Sequence, residues 1–106
     1  MEKKNKFIEY KKGIIHAIDE SMSFIKENTV NTSCCLLSHY LDCCGVRYDF
    51  NKYVLHEYRK VCRARREHRG FRDYTHEQWM YKSKKEQQEI RIKKLEKFKK
   101  YIEETY

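Results

Sequence analysis

Apolar side chains along this chain recur at intervals of three and four residues, with charged side chains between them. Near the N-terminus the apolar positions run from Phe7 through Tyr10, Ile14 and Ile18 to Ile25. This spacing places them on one side of an α-helix, because a helix turns by about 100° per residue. The same periodicity continues along the chain and predicts about four helices, over residues 3–27, 34–44, 50–69 and 76–104.

Residues that typically begin or end helices lie between these segments. Gly45 and Gly70 follow the last apolar residues of the second and third segments, where a left-handed residue ends many helices. Asp49 is expected to cap the third helix through its side chain. Thr75 followed by Gln78 matches the capping box that opens a helix. These signals support the boundaries that the periodicity predicts.

Composition favours the same all-α fold class. The 106 residues include no proline and only three glycines, so few tight turns are available for an architecture of many short strands. A hydrophobic fraction of 40% is enough for a small core, and the length fits a single helical domain over residues 1–106. No apolar run approaches the roughly 18 residues of a membrane span, and the first residues do not resemble a signal peptide. We therefore expect a soluble, cytoplasmic protein without a membrane partner.

Positive charge is concentrated in one part of the chain. The formal net charge is +8, from 24 Lys and Arg against 16 Asp and Glu. Residues 59–72 hold seven of the basic residues and one acid, Glu67, which gives a local charge of +6 (7 − 1). Such a segment favours an acidic partner, and nucleic acid, either DNA or RNA, is the first expectation.

Helical geometry gathers much of this charge on one face of the third predicted helix, opposite its apolar side. The arginine fork matches phosphate oxygens and the acceptor edge of guanine. The alternative is a solvated surface on which Glu57 and Glu67 pair with some of the cations for little energy. The candidate nucleic-acid-binding residues are Lys52, His56, Arg59, Lys60, Arg63, Arg66 and Arg69.

The link between the second and third helices places Gly45 between two apolar residues, Cys44 and Val46. With this link, residues 34–69 resemble a helix-turn-helix unit, in which the second helix enters the major groove of DNA. Three features depart from that motif. The link to Asp49 is about five residues long where the motif has three or four. Leu41 is bulky where close packing of the two helices would favour a small side chain, and the arginines lie in the C-terminal half of the third predicted helix.

Side chains that could read bases lie on or beside the same helix. Sequence reading would come from Asn51, Lys52, His56 and Arg59. Three nearby tyrosines would favour unpaired bases if they stack in solvent and would belong to the core if buried: Tyr53, Tyr58 and Tyr74. The sequence therefore leaves duplex and single-stranded targets open.

The cysteines and histidines do not form a convincing chemical motif. Cys35, His39 and Cys43 share a helix face, but the α-carbons of the outer two would lie roughly 12 Å apart, too far for one zinc ion. Thiols that act as small apolar side chains are the simpler interpretation. Cys62 and His56 would lie on different sides of a helix. Because no phosphate loop, serine-hydrolase or zinc-protease motif occurs, we expect no enzyme, no metal and no other cofactor.

The sequence thus favours a small nucleic-acid-binding regulator that contacts phosphates through an arginine-rich helix. The alternative is an inhibitor or adaptor that docks on a protein or nucleoprotein complex. The bias towards Lys, Ile, Asn, Tyr and Glu is what AT-rich coding produces, and it is compatible with a viral or mobile-element protein. The apolar stripe over residues 92–106 is expected to pack on the first helix or on a second copy, as a homodimer.

Overall fold

The computed structural model describes residues 2–28, 33–65 and 70–106. These ranges contain six helices: α1 (Glu2–Glu9), α2 (Lys11–Glu27), α3 (Ser33–Cys43), α4 (Tyr48–Cys62), α5 (His76–Tyr81) and α6 (Lys84–Thr105). The all-α class is confirmed. The predicted number of helices is too low, because two of the predicted helices are each interrupted once.

Four of the helices form a closed ring of packed neighbours. α2 packs on α3 and α6, and α4 also packs on α3 and α6. Each of them contributes fully buried side chains to the shared core, among them Ile18, Leu37, Val54 and Leu95. The stripe of α6 therefore packs on the first part of the chain, which was one of its two predicted positions. None of the described helices combines the length and the apolar character that crossing a bilayer requires.

The predicted helix over residues 3–27 is interrupted at Tyr10, where φ is −93° and ψ is 5°. The Tyr10 ring lies 5.5 Å from the ring of Phe50, measured between centroids. The Ile14 N–H still bonds the Tyr10 carbonyl at 2.9 Å, so the apolar positions keep their phase across the interruption. Periodicity alone therefore gives no sign of this break.

Two glycines shape the link between α3 and α4. Gly45 has a φ of 82° and ends α3, and the N–H of Val46 bonds the Leu41 carbonyl at 3.0 Å as in a Schellman motif. The left-handed terminator predicted at Gly45 is thus confirmed. On the facing helix, a Cβ on Gly13 would lie 2.9 Å from the carbonyl oxygen of Cys44. Glycine at position 13 lets α2 approach the link closely.

α4 begins two residues before its predicted start, at Tyr48. Arg47 precedes the first turn and makes no side-chain cap, whereas Asp49 lies inside that turn. The prediction that Asp49 caps the helix is therefore wrong, although an acid in the first turn suits the positive end of the helix dipole. The link is shortened to residues 44–47, which matches the length found in helix-turn-helix units.

α4 ends at Cys62, so the prediction of a helix over residues 50–69 is wrong at residues 63–65, and its last part, residues 66–69, lies outside the described residues. Arg63 has a φ of 57°, a left-handed conformation that does not continue a right-handed helix. The chain then folds back, and Ala64 pairs with Phe71 in an antiparallel bridge. We call the described residues on either side of this bridge, 63–65 and 70–74, the fold-back segment.

Gly70 does not end α4, contrary to the prediction, because α4 already ends at Cys62. Its φ is 78°, and a Cβ on this residue would overlap the indole of Trp79. Its carbonyl accepts a hydrogen bond from the Arg65 N–H at 2.8 Å. Glycine at position 70 therefore serves the packing of α5 on the fold-back segment.

The last predicted helix, over residues 76–104, consists of α5 and α6. The predicted capping box of α5 is confirmed, since Thr75 and Gln78 each bond the other's backbone N–H. α6 begins with a similar cap, in which the Oγ of Ser83 accepts from the Glu86 N–H at 3.1 Å. The Ser-x-x-Glu pattern at this point is a sequence signal for a new helix, in a polar stretch where apolar periodicity marks no boundary.

Candidate nucleic-acid interface

The two sides of α4 have different surroundings. Its buried side consists of Phe50, Asn51, Val54, Tyr58 and Cys62. The Tyr58 ring meets Phe98 of α6 edge to face, with 5.4 Å between centroids, and the Cys62 thiol donates to the Lys94 carbonyl at 3.1 Å. These contacts fix the rotation of α4 about its axis and leave the opposite side exposed.

The exposed side carries four of the predicted basic residues, which we call the α4 basic face. Lys52, His56 and Lys60 are exposed, and Arg59 is half-buried. Their spacing keeps them on one side of the helix over about 12 Å, at 1.5 Å per residue. Among the described residues, Lys52, Arg59 and Lys60 form no ion pair with a carboxylate. Their charges are therefore available to an anionic ligand.

The acid in the second half of α4 does not neutralise this face. Glu57 accepts a hydrogen bond from the Tyr101 hydroxyl of α6 at 2.9 Å. Burial, reinforced by the bond to Glu57, raises the pKa of the Tyr101 hydroxyl, so that it remains a protonated donor. Glu57 is thus engaged between α4 and α6 and makes no ion pair with a described cation. Glu67, the other acid considered for such pairing, lies outside the described residues.

A lysine from α1 lies beside the α4 basic face. The Nζ of Lys3 is 4.5 Å from the centre of the Tyr53 ring, and the Nζ of Lys52 is 5.2 Å from the centre of the same ring. Both ammonium groups gain a favourable interaction with this ring. The sequence offers no signal for this neighbour, because Lys3 is far from α4 along the chain.

Arg63 has a different environment from the α4 basic face. Its Nε lies 3.2 Å from one oxygen of Asp73, and the Nζ of Lys94 contacts the other oxygen. A hydrogen bond from Lys94 lowers the pKa of Asp73 against the opposing effect of burial, and the charges of Lys94, Arg63 and Lys97 add to the decrease. We call Arg63, Asp73 and Lys94 the Asp73 cluster. Its two cations share one carboxylate, which reduces the charge they offer to a ligand.

Arg65 also serves the fold-back segment. Its side chain is half-buried, and its Nη2 donates to the Tyr74 carbonyl at 3.1 Å. The Arg65 side chain therefore joins the two ends of the fold-back segment. Arg66 and Arg69, two of the predicted contact residues, lie outside the described residues.

Two side chains considered for base recognition are buried. Asn51 is 3% exposed, and its Nδ2 donates to the Oδ1 of Asp42 in α3 at 3.1 Å. The prediction that Asn51 reads bases is therefore wrong, because its amide joins α3 to α4. Tyr58 lies in the core, and the half-buried Tyr74 ring packs near Trp79 at 6.1 Å between centroids. Burial excludes base stacking by Tyr58.

Cysteines and histidines do not converge within the described part of the chain. The Sγ of Cys43 lies 3.8 Å from the Nε2 of His39 on the exposed side of α3, where Cys35 is exposed as well. No group of three or more His, Cys, Asp or Glu side chains among the described residues is arranged to hold a metal ion. Cys62 is buried whereas His56 is exposed, so these two have different surroundings.

The candidate interface is thus the α4 basic face, with Lys3 beside Lys52 at one end and the Asp73 cluster beyond the other. Four of the seven predicted contact residues belong to it, and Arg63 lies in the cluster. No family model, curated protein or solved structure matches this chain.

Proposed function

We propose that the protein binds nucleic acid through the α4 basic face. One observation carries this proposal: Lys52, Arg59 and Lys60 lie along one exposed side of a helix, and none is paired with a carboxylate among the described residues. Cations along one side of a helix suit a strand of phosphates, to which arginine offers a bidentate fork and lysine a point charge. Contacts of this kind supply most of the affinity for nucleic acid.

The same geometry favours contacts with the phosphate backbone over contacts with base edges. The helix-turn-helix mode places the N-terminal residues of the second helix against bases. At that end of α4, Asn51 is buried and Asp49 pairs with Arg47 at 3.4 Å. Asn51 is therefore out of reach of a base edge, and the Asp49 carboxylate is already engaged by Arg47. The proposed role is therefore a binder with little sequence preference.

The proposal is tested by fluorescence anisotropy with single-stranded and duplex DNA of random sequence across a tenfold range of salt. A ligand that contacts about four phosphates should lose about 10³- to 10⁴-fold in affinity over this range. The triple variant Lys52→Ala, Arg59→Ala, Lys60→Ala should bind at least tenfold more weakly than the parent protein. Its logarithmic salt dependence should also be shallower by about three, since each lost phosphate contact removes about one.

A matched control removes three exposed lysines elsewhere, Lys12, Lys26 and Lys85. Both triple variants lower the formal net charge by three, so only position distinguishes them. Equal loss of binding in the two would refute the assignment to α4. If the parent protein binds neither probe at low salt, the nucleic-acid proposal is wrong, and docking on a protein becomes the better explanation of the basic face.

A further inference from the structure

α4 begins with an aromatic side chain that the core does not use. Tyr48 is 83% exposed at the first position of the helix. Neighbouring aromatic residues behave differently: Phe50 and Tyr58 are buried, and the half-buried Tyr53 ring lies beneath Lys3 and Lys52. A single exposed aromatic ring is common on protein surfaces and does not by itself indicate a binding site. The position of Tyr48 relative to the cations of α4 gives a reason to assign it one.

Tyr48 lies on the same side of α4 as the basic face. It precedes Lys52 by one helical turn and His56 by two, so the three side chains follow one another along the helix. From Tyr48 to Lys60 this side extends for about 18 Å, at 1.5 Å per residue. That length corresponds to about five nucleotides at the 3.4 Å rise of one stacked strand. The exposed side of α4 therefore presents a row of cations with an aromatic ring at one end.

An aromatic ring and a row of cations recognise different parts of a nucleic acid. The cations attract phosphates in duplexes and single strands alike. The ring can stack only on a base whose face is uncovered, and in a duplex neighbouring base pairs cover nearly all such faces. Because Tyr48 belongs to a helix whose rotation is fixed by core contacts, its ring is held beside the row of cations rather than carried on a long loop.

On the basis of the proposed function, we propose that the ligand of the α4 basic face is a single-stranded nucleic acid and that Tyr48 stacks on one of its bases. The nearby tyrosines cannot do so equally well. Tyr58 is buried, Tyr74 is half-buried near Trp79, and the half-buried Tyr53 already contacts two ammonium groups. Tyr48 is also placed to bind without unfolding any part of the core.

The test compares three probes by fluorescence anisotropy: a pyrimidine single strand of about 15 nucleotides, its duplex, and a strand of equal length made of abasic sites. Tyr48→Ala should weaken binding to the pyrimidine strand by about 5- to 150-fold, the range for loss of one stacked base. Tyr48→Leu should bind as weakly as Tyr48→Ala, because leucine retains much of the bulk of tyrosine and stacking requires an aromatic face, which leucine lacks. Tyr48→Phe should stay within about twofold of the parent protein, since stacking needs no hydroxyl.

Binding to the duplex and to the abasic strand should be unchanged in all three variants. The matched control is Tyr81→Ala, which removes an aromatic ring of similar exposure, 86%, from α5. This control should bind every probe as the parent protein does. Thermal unfolding should give the same midpoint for all four variants, because both rings are exposed.

Three outcomes would overturn the inference. If Tyr48→Ala binds the pyrimidine strand normally while the triple variant of Lys52, Arg59 and Lys60 loses binding, the function stands and the stacking role of Tyr48 is wrong. Equal losses on the duplex or the abasic strand would show that the ring does not act on an unpaired base. Equal losses in Tyr81→Ala would show that the effect is not specific to α4.

Discussion

Lys60 and Arg63 are three residues apart in the chain, yet their surroundings differ. Lys60 is exposed on α4 and has no carboxylate partner among the described residues. Arg63 is the first residue after the helix, and its Nε lies 3.2 Å from the carboxylate of Asp73. A count of charge along the sequence treats the two residues alike. In the folded chain only Lys60 offers its full charge to a ligand.

The difference follows from where α4 ends. Up to Cys62 the helix separates an apolar side from a basic side, and Lys52, Arg59 and Lys60 on the basic side pair with no carboxylate among the described residues. After Cys62 the chain folds back, and Arg63 and Arg65 bond to Asp73 and Tyr74 of the same segment. We therefore expect the α4 basic face to serve binding and the fold-back segment to serve stability.

Truncation of Phe71 is the strongest test of this division. Phe71 is 2% exposed, and its ring meets Trp79 edge to face at 5.6 Å between centroids. Phe71→Ala should lower the free energy of unfolding by about 3–5 kcal/mol, as expected for a buried aromatic ring. Lys60→Ala should change it by no more than about 0.5 kcal/mol. Urea unfolding followed by circular dichroism measures both, and similar values would remove the distinction between the two regions.

Two glycines allow the packing of Trp79 to be measured separately from backbone strain. Gly45 and Gly70 both have a positive φ, but a Cβ on Gly45 would meet open space whereas one on Gly70 would overlap the Trp79 indole. Gly45→Ala should therefore cost about 1–2 kcal/mol from the left-handed backbone alone. Gly70→Ala should cost about 2–5 kcal/mol, because overpacking adds about 1–3 kcal/mol. Equal costs in urea unfolding would contradict the close contact of Trp79 with the fold-back segment.

Removal of the shared carboxylate should turn the Asp73 cluster into part of the binding surface. Asp73→Asn preserves the shape of the side chain and releases Arg63 and Lys94 from their common partner. The affinity for single-stranded DNA should rise about tenfold near 0.1 M salt, the factor for one additional phosphate contact. The control is Asp19→Asn, which changes the net charge equally but releases Lys99, held at 2.9 Å on the other side of α6. If both variants gain the same affinity, net charge rather than the cluster is responsible.

The smallest expected effect is the dependence of stability on pH at Asp73. The pKa of Asp73 is lowered in the folded protein, chiefly by the hydrogen bond from Lys94. A lowered pKa stabilises the fold at pH values above the ordinary Asp pKa of about 3.9, and this contribution is lost as the pH falls through the folded pKa. The parent protein should therefore exceed Asp73→Asn in stability by less than about 1 kcal/mol at neutral pH. Urea unfolding at a series of pH values should show the difference shrink as the pH falls below about 4 and vanish below the lowered pKa of folded Asp73, and a constant difference would contradict the pairing.

The part of the interface within an uninterrupted helix was predictable from periodicity. Val54 and Tyr58 are buried while Lys52 and Lys60 are exposed, as their spacing predicts. The region after Cys62 was not predictable in this way. Helices that end in a left-handed residue usually place glycine there, so an arginine in that conformation gives no sequence signal.

Other features of the structure differ in how far the sequence indicates them. The start of α6 at Ser83 was marked by a Ser-x-x-Glu pattern, which lies in the mostly polar stretch over residues 81–89, where apolar periodicity gives no boundary. Burial of Asn51 follows from its bond to Asp42 in α3 and cannot be deduced from either residue alone. The approach of Lys3 to Tyr53 is likewise a consequence of how α1 lies against α4.

The thiol of Cys62 allows the separation of α4 from α6 to be followed by chemical modification. Because this thiol is buried and donates to the Lys94 carbonyl, an alkylating reagent can reach it only when the two helices separate. Cys35 and Cys43 are exposed on α3 and should react first. The alkylation rate of Cys62 therefore reports how often α4 and α6 separate. This rate can be measured with and without bound single-stranded nucleic acid.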